Sequence, residues 1–181
     1  FRNLSDHLKV PDPHQKTFSN IDLGIQRIQE IINGILNFAR PVQPTLRKVD
    51  IRKVIDSSVH TVEKEMESSG IQLKRSYDAS LPEVVIDPVQ INQVLVNLYL
   101  NAKHAMHSGG TLTITGAARS DFVEVTVQDT GVGINPENLD KIFNPFFTTR
   151  KEGIGLGLAI VSRILEQHKS QIFVESEAGG G

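Results

Sequence analysis

A heptad seam that runs into a pair of prolines constrains this chain more than any other feature. Phe18, Ile21, Ile25, Ile28, Ile32, Ile35 and Ala39 recur at alternating spacings of three and four, the repeat that holds one narrow apolar stripe against a partner helix. Gln26, Arg27, Gln29 and Glu30 lie off the stripe. A seam so narrow favours a bundle, and hence dimerisation, over the plainer alternative of an amphipathic helix packed on its own domain. Pro41 and Pro44 end the helix, because proline lacks the amide hydrogen and disfavours helix in the residue before it. Pro11 and Pro13 interrupt the chain ahead of the seam, which leaves residues 1–10, with Leu4 and Leu8 one turn apart, as the end of a preceding antiparallel helix. The expected organisation is a partial helical hairpin over residues 1–43 and a larger domain over residues 44–181.

Within the larger domain Ile51, Ile55, Val59, Val62 and Met66 mark one helix face, and Gly70 ends that helix. Short extended runs follow at Ile71-Gln72-Leu73 and Val84-Val85-Ile86, then apolar residues repeat at helical spacing from Pro88 to Met106. Gly109-Gly110 turns the chain into residues 111–115, and Val123, Val125 and Val127 alternate with Glu124, Thr126 and Gln128 as a half-buried strand does. Residues 158–167 read as a last helix and residues 171–175 as a last strand. The order predicts an α+β fold, a two-layer sandwich with helices on one face of a mixed β-sheet.

Composition removes some function classes. Hydrophobic residues at 39% and charged residues at 22% are ordinary for a globular chain, and the longest apolar runs fall far short of the roughly 18 residues that a membrane span needs. A formal net charge of -2, with Lys and Arg scattered, provides no electrostatic footprint for nucleic acid. The absence of Cys rules out disulfides and thiolate metal sites and fits a reducing compartment, so a cytoplasmic location is expected, with a membrane anchor elsewhere in a longer protein left open. The chain opens at Phe1 with no signal peptide and reads as a fragment.

Four segments carry chemistry. Asn97 and Asn101, four apart on the helix from Pro88, project from one face amid Leu95, Val96, Leu98 and Leu100. Amides in apolar company need a partner: a capping or buried-network role is the common one, and ligation of Mg²⁺ beside phosphates is the alternative. Asp129-Thr130-Gly131-Val132-Gly133-Ile134 places a carboxylate at a strand end before two glycines, either an ordinary turn or a site where the acid takes a hydrogen bond from an exocyclic amine while backbone approaches a flat ring. Gly153-Ile154-Gly155-Leu156-Gly157-Leu158 leads into the final helix and offers free amides and the positive end of a helix dipole to an anion, unless its glycines serve close packing. Ile142-Phe143-Asn144-Pro145-Phe146-Phe147-Thr148-Thr149-Arg150, with three of the chain's eight Phe residues, is either a lid anchored by aromatics or a loop whose rings fill the core.

Taken together in this order, Asn97-Leu98-Tyr99-Leu100-Asn101-Ala102, Asp129-Thr130-Gly131-Val132-Gly133-Ile134, Phe143-Asn144-Pro145-Phe146-Phe147-Thr148-Thr149 and Gly155-Leu156-Gly157-Leu158-Ala159-Ile160 closely resemble the ATP-binding domain of sensor histidine kinases. The resemblance covers roughly residues 48–181. The helix ending Leu36-Asn37-Phe38-Ala39-Arg40-Pro41 is similar to the second helix of that family's dimerisation and phosphotransfer hairpin, and the Asn-Pro-Phe-Phe-Thr-Thr segment is most similar to nitrogen-regulatory sensor kinases with compact lids. The resemblance implies the Bergerat-type ATP-binding fold shared with gyrase, heat-shock chaperone and MutL ATPases. It implies ATP and Mg²⁺ as cofactors, with Asn101 as the metal ligand, Asn97 as its companion and Asp129 as the adenine-binding carboxylate. Gly131, Gly133 and Ile134 would flank the base, and Gly155, Leu156, Gly157 and Leu158 would lie by the phosphates. Thr148, Thr149 and Arg150 belong to the lid, and His104 stands where many members carry a basic residue that reaches the phosphates. The implied activity is transfer of the γ-phosphate to a histidine and relay to the receiver domain of a response regulator, in a homodimer formed through the hairpin.

Three departures stand out: His104 itself, Ile154 where a small hydroxyl residue is usual, and Lys169, where a glycine usually follows the histidine at 168. His7 does not qualify as the phosphoacceptor, because Pro11 and Pro13 follow it too closely; no catalytic residue is assigned within the chain, and the acceptor is expected upstream of Phe1. Two rival readings are a gyrase-like or chaperone-like ATPase and a nucleotide-regulated dimerisation scaffold. Hydrolytic relatives such as gyrase have a glutamate where this chain has Asn97, and an amide cannot act as a general base.

Overall fold

The computed structural model describes residues 17–22, 24, 25, 29, 43–78, 80–150 and 153–177. The chain divides into two units, Phe1–Pro41 and Val42–Gly181. In the first, residues 17–22, 24, 25 and 29 are helical, and the seam residues Phe18, Ile21 and Ile25 are 49%, 51% and 46% exposed. Ile28, Ile32, Ile35 and Ala39, the segment 1–10, and Pro11, Pro13 and Pro41 lie outside the described residues.

The second unit runs β1 (Arg47–Val49), α1 (Ile51–Ser68), β2 (Ile71–Tyr77), β3 (Val84–Ile86), α2 (Pro88–Ala105), β4 (Gly110–Ala118), β5 (Val123–Asp129), α3 (Pro136–Leu139) and α4 (Gly157–Gln167). Aspartates start both long helices. Asp50 Oδ1 accepts the Arg52 N–H at 3.0 Å, and Asp87 Oδ1 accepts those of Val89 at 2.9 Å and Gln90 at 3.3 Å, with Pro88 in the first helical position, where an amide hydrogen has no helical acceptor. Asp87 is buried, and its second oxygen accepts the Thr45 N–H at 2.8 Å. Burial by itself would raise its pKa; the backbone donors Thr45, Gln90 and Val89, aided by His168, outweigh that and hold the carboxyl below its ordinary range.

The sheet has the order β2-β4-β5. β2 lies parallel to β4, with Leu73 opposite Leu112, and β4 is antiparallel to β5, with Ile114 opposite Val127. The sheet is therefore mixed, as expected, and the hairpin falls where the alternation places it. β1 and β3 form a separate antiparallel pair, with Arg47 opposite Ile86; three-residue strands carry too little pattern to announce such a pair. Leu112 and Ile114 are fully buried on β4 and meet Ile55, Val59, Val62 and Met66 of α1, Val94, Leu95 and Tyr99 of α2, and Val161 and Ile164 of α4. Each such side chain contributes about 1.5–3 kcal/mol relative to exposure, more than the roughly 1 kcal/mol of a helix cap, so the α1 and α2 faces rather than their caps set the layer. Tyr99 is buried with its hydroxyl 3.3 Å from Ser58 Oγ, and burial pushes it up to about 12.

Helices α2 and α4 run antiparallel to each other. A Cβ built on Gly157, at the start of α4, would lie 3.7 Å from Asn97 Oδ1 in the middle of α2, while at the far end of α4 the His168 ring accepts the Asp87 N–H at 3.0 Å. Beyond α4 the chain turns through a Schellman arrangement: the Ser170 N–H donates to the Leu165 carbonyl at 2.9 Å and the Lys169 N–H to that of Glu166 at 3.0 Å. Lys169 thereby sits at φ 53, a left-handed conformation that explains why glycine is usual there.

One expectation is corrected. Residues 171–175 do not form a strand. Ile-Phe-Val favours extended backbone, but a strand exists only when its backbone pairs, and among the described residues this segment pairs with none. Ile172 alone packs against the core, Phe173 and Val174 are exposed, and Ser176 is held through its side chain.

Replacing Lys169 with Gly is expected to raise the unfolding free energy by about 1 kcal/mol, the left-handed penalty less the added unfolded-state entropy. Urea unfolding followed by circular dichroism checks it, and an unchanged or lower midpoint sinks it.

Candidate functional site

The site grows from one face of α2. Asn97 and Asn101 lie one turn apart on it, both half-buried. The Asn101 Nδ2 is buried with no hydrogen-bond partner, a costly state for a polar atom in a finished core. The same residue would suit a metal bound to phosphates: a half-turn of the carboxamide exchanges its nitrogen and oxygen, so it can present either a donor to an anion or a hard oxygen to Mg²⁺. One turn further, His104 is exposed. Its pKa is lowered, first by partial burial and then by the Arg150 charge, against a hydrogen bond with the Leu100 backbone that acts the other way. Arg150, from the segment between the glycine loops, therefore stands close enough to be felt at α2.

Opposite this face is the turn after β5. Asp129 Oδ1 accepts the Gly131 N–H at 2.9 Å, and among the described residues its Oδ2 has no partner. The turn is tied down on both sides. The Val132 N–H donates to the Ala105 carbonyl at 3.2 Å, and a Cβ on Gly131 would meet Ala105 Cβ at 2.6 Å. The Ile134 N–H donates to Ser176 Oγ at 2.8 Å, while Gly133, at φ 70, sits too near the Glu177 carbonyl for any side chain. An open cavity of about 230 Å³ lies between residues 105–109 and 130–132. Its lining includes Thr130, Gly131 and Val132 of the turn but not Asp129.

The third side is the start of α4. Leu156, in the cap position, is buried and provides no side-chain hydrogen bond. The first amides of α4 are thus left to whatever lies ahead of them, with the positive end of the dipole behind. The segment 142–150 is built by two rules at once: Ile142 is buried and Phe143 and Phe147 are half-buried, while Phe146 is 60% exposed at φ 67. It is pinned to the glycine loop, the Phe146 N–H donating to the Gly155 carbonyl at 2.9 Å. Thr148, Thr149 and Arg150 are exposed, and the Arg150 N–H donates to Thr148 Oγ1 at 3.1 Å.

The structure thus brings Asn97, Asn101, His104, Arg150 and Gly157 to one side, with Leu156 and Leu158 flanking Gly157, and gathers Asp129, Gly131, Gly133 and Ile134 in the turn held by Ala105. Among the described residues no hydrogen bond assigns Thr149 a place. Sequence reasoning missed Ala105, which backs the turn, Ser176, which clamps it, and the Asp87–His168 contact. Only the last had a signal, the Asp-Pro helix start; a serine hydroxyl bonded to a loop 42 residues away has none. Among the described residues no group of three or more His, Asp or Glu is placed to hold a metal by itself, and no helix is long and apolar enough to cross a membrane.

Comparison with known proteins identifies the family. Residues 86–181 match the family described as histidine kinase-, DNA gyrase B-, and HSP90-like ATPase. The chain is 39% identical over 155 residues to the sensor histidine kinase ZraS of Escherichia coli K12, covering 86% of this chain and 33% of that protein. It spans about a third of the length of that relative. Full-length ShkA, solved in complex with AMPPNP, superposes with a TM-score of 0.80 at 25% identity, over 96% of this chain and 38% of ShkA. The histidine kinase ThkA, solved with the response regulator TrrA, gives 0.78 at 28% identity over 96% of this chain and 51% of that one.

Gly155 tests the junction of lid and loop. It adopts φ 73, and a Cβ there would meet Phe146 C and Phe147 O at 2.5 Å. Gly155→Ala is expected to cost about 1–3 kcal/mol through strain and the displaced backbone and to make residues 146–148 more open to limited proteolysis. A variant with parent stability and the parent cleavage pattern would contradict this packing.

Proposed function

The chain belongs to the histidine kinase-, DNA gyrase B- and HSP90-like ATPase family, with sensor histidine kinases as its relatives, and from that premise we propose that residues 44–181 bind Mg²⁺-ATP and present its γ-phosphate to a histidine. That histidine belongs to the dimerisation hairpin, of which residues 1–43 are part, and the phosphoryl group passes on to an aspartate of a response regulator. One observation carries the reading: the uncapped start of α4 converges on the amide face of α2, where Asn101 holds a buried polar atom without a partner. ShkA with AMPPNP and ThkA with TrrA support the nucleotide and the regulator.

In this reading Asp129 Oδ2 accepts the exocyclic amine of the purine, and the turn at 131–134 gives the ring a flat backbone to lie against. The amides of Gly157 and Leu158 face the phosphate oxygens, and Asn97 lies beside them. Asn101 would hold the metal, which would supply charge neutralisation at the phosphates. Arg150 and His104 stand on the open side, where the lid segment closes over the triphosphate. The histidine nitrogen forms its bond to the γ-phosphorus as the bond from that phosphorus to the bridging oxygen breaks, and ADP leaves with the electron pair. Catalysis here is positioning and electrostatics. Hydrolysis is disfavoured by the same residues, since the Asn97 amide cannot take a proton from water, and no observation favours a scaffold without nucleotide.

The decisive experiment is a longer chain that includes the whole hairpin, incubated with γ-labelled ATP. Acid-labile label on protein is expected, reduced at least roughly tenfold in Asn101→Ala by loss of a positioned ligand. Intact ATP binding with no labelling would sink the kinase reading, and an unchanged variant would sink the role of Asn101.

His104 adds a pH dependence. Its lowered pKa means that the unfolded chain binds more protons between the ordinary value and the lowered one, so without nucleotide its contribution to stability is lost as pH falls from the ordinary value through the lowered one. A triphosphate reverses the local charge, so protonated His104 favours binding at low pH and the benefit fades as pH rises. The affinity advantage of the parent over His104→Gln is expected to grow from little at about pH 8 to several-fold near about pH 5.5. Calorimetry at both values checks it; a constant ratio removes His104 from the site.

A further inference from the structure

We infer that His168 is a positioning residue: by bonding the first turn of α2 it sets the register of α4, and so holds the amide start of α4 opposite Asn97 and Asn101. The inference rests on the nucleotide reading of the site. The ring makes two contacts of opposite sense. Nε2 accepts the Asp87 N–H at 3.0 Å, and Nδ1 lies 2.8 Å from the Ile164 carbonyl. A ring nitrogen that accepts must be bare, so the proton sits on Nδ1 and is donated to Ile164. One neutral tautomer satisfies both, and it ties the ring to the last turn of its own helix, so the ring moves with α4.

Its partner is equally well anchored. Asp87 caps α2 through Val89 and Gln90 and holds the Thr45 amide with its other oxygen. From Asp87 to Asn97 is ten residues, about 15 Å of helix, and from His168 back to Gly157 is eleven, about 16 Å. These matched lengths bring Gly157 beside Asn97 when the far ends are joined. The apolar packing of Val161 and Ile164 in the core they share with α2 gives the helices adhesion but little direction, because burial depends on area rather than on orientation. A hydrogen bond is directional. A slip of one residue along α4 displaces its first amides by about 1.5 Å, a misplacement of the size that costs orders of magnitude where groups must be aligned.

The consequence is selective for phosphate. The turn that meets the base is tied to Ala105 and Ser176, not to α4, so loss of the His168 contact disturbs the triphosphate and spares the purine. In the complete chain, His168→Ala is expected to weaken Mg²⁺-ATP binding about tenfold and to leave adenosine binding unchanged. His168→Gln, whose side-chain carbonyl can accept from Asp87, recovers part of the loss. Both are measured at a temperature where circular dichroism shows each variant fully folded. A His168→Ala chain that binds ATP like the parent overturns the inference, as does one that loses ATP and adenosine by the same factor, the mark of general loosening. A parent chain that binds ATP no better than adenosine overturns the nucleotide reading itself. A second measurement needs no variant: ¹⁵N correlation spectra of the parent should show His168 protonated at Nδ1 and bare at Nε2, and a proton on Nε2 at neutral pH overturns the inference.

Discussion

A helix that begins without a cap leaves its first amides in search of an acceptor, and in this chain α4 begins so, with a buried leucine where a serine or aspartate would ordinarily close the end. The contrast with α1 and α2 is instructive. Both of those start on aspartates that satisfy their own amides, so their starts are structural and inert. A capping side chain contributes about 1 kcal/mol to an ordinary helix start, and a carboxylate there would repel any anion brought to it; at 156 the side chain packs into the core instead. The chain forgoes that stability at the one helix start that faces Asn97, and the rest of the site is arranged around the charge that the open end invites.

The sequence makes most of this architecture legible, for identifiable reasons. Heptad and helical periodicities report burial on one face, so α1 and α2 could be read nearly to the residue, and the alternation of Val123, Val125 and Val127 announced β5. Contacts with no local signature were invisible. Nothing in Arg47-Lys48-Val49 indicates a strand until Val84-Val85-Ile86 pairs with it. The reverse error occurred at residues 171–175, where a β-prone composition met no partner and stayed irregular. In the site the amides, the acid and the glycines were readable because each is a residue type with restricted uses. Ala105 and Ser176 were not, because the one acts through its backbone and the other through a bond to a distant loop.

The departures from the family's usual residues follow the same logic. At 169 the backbone keeps the left-handed turn that glycine would make easy, and a lysine accepts the strain; the geometry is retained because Ser170 and Lys169 close the helix through their amides. At 104 a histidine replaces a fixed charge, and Arg150 from the lid sits near enough to depress it. The Arg150 charge opposes protonation of His104, so an anion that neutralised Arg150 would let the imidazole take up its proton more readily.

On the proposed reading the choice between transfer and hydrolysis turns on one side chain. The Asn97 amide oxygen stands 3.7 Å from where a Cβ on Gly157 would lie, beside the first amides of α4. A carboxylate there would bring a proton acceptor to the phosphates and also a negative charge next to them; an amide brings neither. On that reading water is left inactivated, and the γ-phosphate requires a nucleophile that is basic on its own account, as an imidazole nitrogen is.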